Sequence, residues 1–147
     1  MEILPGRGVA SIELGADRAA VRARLGAPTS ERGDSAFYMD RDPGLVLRFA
    51  ASGSLELIEI PYSGNGHEVT LGGIQLTYRA IDDVVEELRQ AGIVGRRFDI
   101  GFEFPQGFAI WSMASLNLAD IDSSISVNDE RLVVEGVSVG VPEYFGF

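Results

Sequence analysis

Ile-x-Leu, a turn, a short amphipathic helix and a glycine occur twice in this chain, as IELGADRAAVRARLGAP at residues 12–28 and as IQLTYRAIDDVVEELRQAG at residues 74–92. The two stretches share an order more than they share residues. In the first, Asp17 is a candidate helix N-cap, and Val21 and Leu25 stand four apart on one face. Gly26 suits the left-handed position after the last turn, and Pro28 stops the helix from continuing. In the second, Ile81, Val84, Val85 and Leu88 fall at i, i+3, i+4 and i+7, which makes one apolar stripe, and Gly92 closes the helix. Helices this short do not stand alone in water, so each must lay its stripe on another layer.

Strand-like segments after each helix supply that layer. After the first, the spacing predicts an antiparallel meander over roughly 35–40, 44–50 and 55–60. Its turns are Asp42-Pro43-Gly44, where proline presets the first central φ and glycine takes the positive φ after it, and Ala51-Ser52-Gly53. After the second, FDIGFEF alternates: Phe98, Ile100, Phe102 and Phe104 on one face, Asp99, Gly101 and Glu103 on the other. Pro105-Gln106-Gly107 turns the chain, FAIWSM returns, and RLVVEGVSVGV makes a last strand. Between the halves, residues 61–67 read PYSGNGH, a linker composition. The expectation is an α+β fold of two helix-plus-antiparallel-meander units in tandem. They span 1–62 and 68–147, are joined by a linker at 63–67, and form one compact protein.

Composition narrows the function classes. Cysteine and lysine are both absent among the 147 residues, and there is one histidine. Disulfides, thiolate metal sites, Schiff-base lysines and the phosphate-loop lysine are therefore excluded. The N-terminus has no basic segment leading into an apolar run, and no stretch is apolar for long enough to span a bilayer. A soluble cytoplasmic protein is expected. The net charge is −10, and it is uneven: seven arginines against nine acids in residues 1–66, five against thirteen in 67–147. Such a surface repels nucleic acid and anionic membranes and attracts a basic protein.

The first half, through Leu14-Gly15, Val21, Leu25-Gly26, Pro28 and the hairpin after them, resembles an α-β-β module. Such modules occur in outer-membrane assembly lipoproteins and, duplicated, in β-lactamase inhibitor proteins. The chain departs from both: it has no lipid-anchor cysteine, no export signal and none of the inhibitors' cysteines. The second half, with FEFPQGFAIWSM, an acidic loop and VEGVSVGVPEYF, is similar to the tails of immunity proteins from bacterial polymorphic toxin systems. That resemblance rests on Phe104, Gly107, Trp111, Val137, Val139 and Tyr144. It implies a small acidic cytoplasmic protein that covers a toxin's active surface.

Catalytic patterns are sparse. His67 stands in the glycine-rich linker, a poor place to hold a triad with Ser63. GDSAF at 33–37 has Phe37 where a nucleophile elbow needs glycine. Asp40, Asp42 and Gly44 sketch a calcium loop that Pro43 interrupts. Two carboxylate pairs, Asp99 with Glu103 and Glu56 with Glu59, match either glycoside chemistry or the wet face of a sheet. The candidate partner-binding residues are Asp82, Asp83, Glu86 and Glu87, opposite the second helix's stripe, together with Trp111 and Tyr144. The four acids read also, and more simply, as the solvated side of an amphipathic helix. A C-terminus of Tyr144-Phe145-Gly146-Phe147 must dock on its own domain or on a partner. The expected function is non-enzymatic protein binding, immunity- or inhibitor-like, against a basic partner and with no cofactor or metal. The alternative is a small enzyme or ligand-binding protein using carboxylates on a concave sheet.

Overall fold

A computed structural model of the chain describes residues 1–62 and 68–147. The expected linker at 63–67, with His67, lies outside the described residues. Each half begins with small antiparallel strands: β1 (Ile3–Leu4), β2 (Gly8–Val9) and β3 (Ile12–Glu13) in the first, β8 (Thr70–Leu71) and β9 (Ile74–Gln75) in the second. Gly72 and Gly73, at φ 55° and 84°, form the two-residue turn between β8 and β9, a conformation that side chains resist.

A helix follows in each half. Helix α1 (Arg18–Leu25) is capped by Asp17, whose carboxylate accepts from the Ala20 amide at 2.7 Å, and Gly26 leaves it at φ 83°. Helix α2 (Ile81–Gln90) buries Ile81, Val84 and Leu88. Val85 is half-buried beside them.

The remaining strands are β4 (Ser30–Arg32), β5 (Ser35–Tyr38), β6 (Leu45–Phe49), β7 (Leu55–Ile60), β10 (Arg96–Phe98), β11 (Gly101–Phe104), β12 (Phe108–Trp111) and β13 (Gly136–Gly140). They form one eight-stranded antiparallel sheet in the order β10-β11-β12-β13-β7-β6-β5-β4. The last strand of each half lies at its centre, with Val139 opposite Ile58 and Ser138 opposite Glu59. Helix α3 (Leu118–Ile121) sits in the connection between β12 and β13.

One face of this sheet carries the core. Leu45, Leu47, Phe49, Ile58, Ile60, Phe104, Phe108, Ile110, Val137 and Val139 point to it and are at most 2% exposed. Val21 of α1 and Val84 and Leu88 of α2 close over it in the same cluster. Phe104 and Phe108 stack there with ring centroids 4.4 Å apart. The fold is therefore α+β with helices on one side of a dominant antiparallel sheet.

Four local expectations are corrected. The first meander has four strands, because Ser30–Arg32, polar and exposed, pairs with β5. The Asp42–Pro43 peptide is cis, and Gly44 does not take a positive φ. FDIGFEF is not one strand: the chain reverses at Asp99-Ile100, so that Phe98 opposes Gly101 and Arg96 opposes Glu103. The reversal places Phe98 on the face of Gly101 and Glu103, opposite Phe102 and Phe104, so the four apolar residues do not share one face. The alternation concealed this because an aromatic residue packs on each side of the sheet. Finally, only Gly136–Gly140 of RLVVEGVSVGV is strand. Residues before it run beside the start of α2, where the Tyr78 amide donates to the Val134 carbonyl at 3.0 Å and the Ile81 amide to the Leu132 carbonyl at 2.9 Å.

Candidate site on the open face of the sheet

Among the described residues, neither α1 nor α2 packs on the sheet's second face. Register places one row of side chains across all eight strands: Arg96, Glu103, Ala109, Ser138, Glu59, Val46, Phe37 and Ser30. The next row brings Phe98, Gly101, Trp111 and Gly136 together. Trp111 thus has glycine on both neighbouring strands. A Cβ at Gly136 would lie 2.0 Å from the indole Cζ2, so the ring rests directly on that glycine's backbone. Its Nε1 donates to the Ser138 hydroxyl at 3.1 Å and fixes its direction across β13.

The C-terminus completes the site. A 3-10 turn, Pro142–Phe145, folds the tail onto this face, and Phe145 is buried against Leu57, Ala109 and Phe98. Arg96 holds it there. The guanidinium donates to the Phe145 carbonyl, pairs with Glu103 at 3.1 Å and lies 4.1 Å from the Phe147 ring centroid. Tyr144 stands at the rim, 37% exposed and edge-on to Phe145. Between tail and sheet lies a groove of about 330 Å3. Trp111, Met113, Tyr144, Phe98, Glu59 and Glu103 line it.

The expected binding residues therefore divide. Trp111 and Tyr144 meet in the groove. Asp82, Asp83, Glu86 and Glu87 lie on α2, in the helical layer, and internal arginines reach three of them. Asp83 faces Arg131 at 3.6 Å, Glu86 pairs with Arg89 at 2.7 Å, and Glu87 pairs with Arg79 at 2.6 Å. Hydrogen bonds from Arg89, then Gln90, hold Glu86 at a pKa of about 2. Glu87 is also half-buried, whereas the helix period alone places it in solvent.

One of the two expected carboxylate pairs separates, while Glu56 and Glu59 both lie on β7. Asp99 is in the turn between β10 and β11, off the strand that carries Glu103. Glu59 and Glu103 share the row but are three strand spacings apart, about 14 Å at ordinary sheet geometry. Among the described residues, no group of three or more His, Asp or Glu side chains is placed to hold a metal ion. No described helix is long and apolar enough to cross a membrane.

One acidic residue gains a role that the sequence did not indicate. Glu135, 2% exposed, accepts from the Ser112 hydroxyl and the Met113 amide, both at 2.7 Å, from the Ser115 amide at 3.2 Å, and from the Ser115 hydroxyl. Burial pushes its pKa up, but the hydrogen bonds from Ser115, Ser112 and the two amides outweigh it and leave the carboxyl below its ordinary value. Glu135 so ties the loop after β12, with Ala114 at φ 57° and Met113 at the groove's edge, to the strand that carries Gly136.

Comparison of the chain with protein-family models, with characterised proteins and with solved structures finds no match in any of the three.

Proposed function

We propose that this chain is a non-enzymatic protein-binding module of immunity or inhibitor type, and that it covers a basic partner with the open face of its sheet. The observation that carries the proposal is Trp111: a large aromatic side chain fixed on a glycine platform, half-exposed, in a groove with Tyr144 and Phe98. Tryptophan and tyrosine dominate interface energetics, and a ring held in place before binding loses little entropy on docking. The pairing of helical acids with Arg79, Arg89 and Arg131 moves the expected contact away from α2. Each half runs from a small antiparallel sheet, three-stranded in the first and two-stranded in the second, through a helix to four strands that meet at β7 and β13. This order supports descent from a tandem unit of the kind found in β-lactamase inhibitor proteins. An acidic cytoplasmic immunity-type protein fits that architecture.

The groove's volume also favours a second reading, small-ligand binding, since it falls at the lower end of the range for ligand pockets, roughly 300–1,000 Å3. Two-carboxylate glycoside chemistry draws no support from Glu59 and Glu103, whose strands stand three spacings apart.

The test is capture of a partner from the source cells by three immobilised forms. These are wild type, Met113→Arg at the groove, and Asp83→Arg with Glu86→Arg on α2. The expected result is a basic protein held by wild type and by the helix variant and lost by Met113→Arg. Retention by Met113→Arg, or loss only from the helix variant, overturns the assignment of the groove.

A further inference from the structure

Within the groove, one carboxylate stands apart. Glu103 is engaged by Arg96. No ion pair or side-chain hydrogen bond reaches Glu59 from any described residue. Its diagonal neighbour across β6 and β7 is Arg48, which is exposed and makes no ion pair with it. Glu59 is half-buried on the central strand pair, directly opposite Ser138. The Ser138 hydroxyl in turn receives the indole N–H of Trp111 at 3.1 Å. The indole therefore extends across β13 to within one strand spacing, about 5 Å, of the strand that carries Glu59.

A π face beside an uncompensated carboxylate has a definite complement. Resting on this proposed reading of the groove, we infer that the groove seats an arginine side chain of the partner protein, its guanidinium stacked on Trp111 and paired with Glu59. Arginine fits better than lysine because its planar guanidinium stacks on an aromatic face and presents a fork of donors to a carboxylate at once. The same chain already uses this chemistry, with Arg96 over Phe147 at 4.1 Å, Arg18 over Phe49 at 5.0 Å and Arg97 over Phe102 at 5.2 Å. The net charge of −10 draws such a partner in.

Trp111 is the chain's one tryptophan, so its fluorescence reports on this seat alone. Capped tri-arginine is titrated into the whole protein, with capped tri-lysine as the comparison. The expected outcome is a saturable change in emission with roughly millimolar affinity for tri-arginine, as suits a peptide lacking the rest of the interface. Tri-lysine should bind more weakly, and Glu59→Gln should weaken tri-arginine at least about fivefold, the value of one modest ion pair. No saturable response, or an equal response in Glu59→Gln, overturns the arginine seat. Failure of the wider proposal looks different. A captured partner that is lost by Met113→Arg yet unaffected by Glu59→Gln keeps the groove and removes the seat. A partner that survives Met113→Arg removes the groove itself.

Discussion

Burying a carboxylate is costly unless protein donors replace its water, and Glu135 shows how completely this can be done. Two hydroxyls and two amides converge on it, and no buried side-chain polar atom among the described residues is left without a partner. Truncation by Glu135→Ala leaves those donors unpaired and should cost about 2–4 kcal/mol in urea unfolding. The pKa direction fixes the pH dependence. Because the folded-state pKa is depressed, the stabilisation is present at neutral pH, above the unfolded value, and is lost as the pH falls through the folded one. The Tm gap between wild type and Glu135→Gln should therefore be widest at neutral pH and shrink below about pH 4, near the unfolded glutamate value. A gap that stays constant with pH would mean that Glu135 acts only through its shape. In the sequence this residue sits between Val134 and Gly136 and looks like an ordinary outward strand position. Nothing local records that Ser112 and Ser115 come to meet it.

At the scale of elements, the helices were the most legible part. The cap at Asp17, the exit at Gly26 and the stripe through Ile81, Val84 and Leu88 follow from local chemistry, which a single sequence carries in full. Leu88→Ala should cost about 2–5 kcal/mol, since Leu88 is 0% exposed in the central cluster. Glu87→Ala should cost under about 1 kcal/mol, the usual limit for a partly exposed ion pair such as the one with Arg79. Comparable losses in urea titrations would show that α2 is rotated from its described orientation. The strands were less legible. The reversal at Asp99-Ile100 is local but hidden by the alternation, and the short final strand depends on contacts to residues 78–81, which lie far away in sequence. The platform under Trp111 was invisible because the two glycines flanking it come from β11 and β13. With that platform known, Gly101 and Gly136 become informative. A Cβ at Gly101 would sit 1.9 Å from the Ile110 carbonyl oxygen, and one at Gly136 would enter the indole.

For the whole molecule, the joint between β13 and β7 matters most. It makes one sheet of strands from both halves, and one apolar cluster runs from Ile3 to Val139. Unfolding should therefore be a single transition, with far-UV circular dichroism and Trp111 fluorescence giving coincident melts. Trp111 reports from β12 in the second half, so an early or late fluorescence transition would show that the halves melt separately. The charge distribution also belongs to this scale. The acidic excess of residues 67–147 was legible from composition, but the pairing of Asp83, Glu86 and Glu87 with Arg131, Arg89 and Arg79 was not. On the open sheet face, Glu59 has no ion pair from any described residue, and this face, with its fixed tryptophan, is the one proposed for the partner. Acrylamide quenching of Trp111 in the free protein and in the saturated complex with its captured partner tests this directly. The quenching constant should fall severalfold on binding, as the ring passes from half-exposed to covered. Unchanged quenching at saturation would place the partner elsewhere on the molecule.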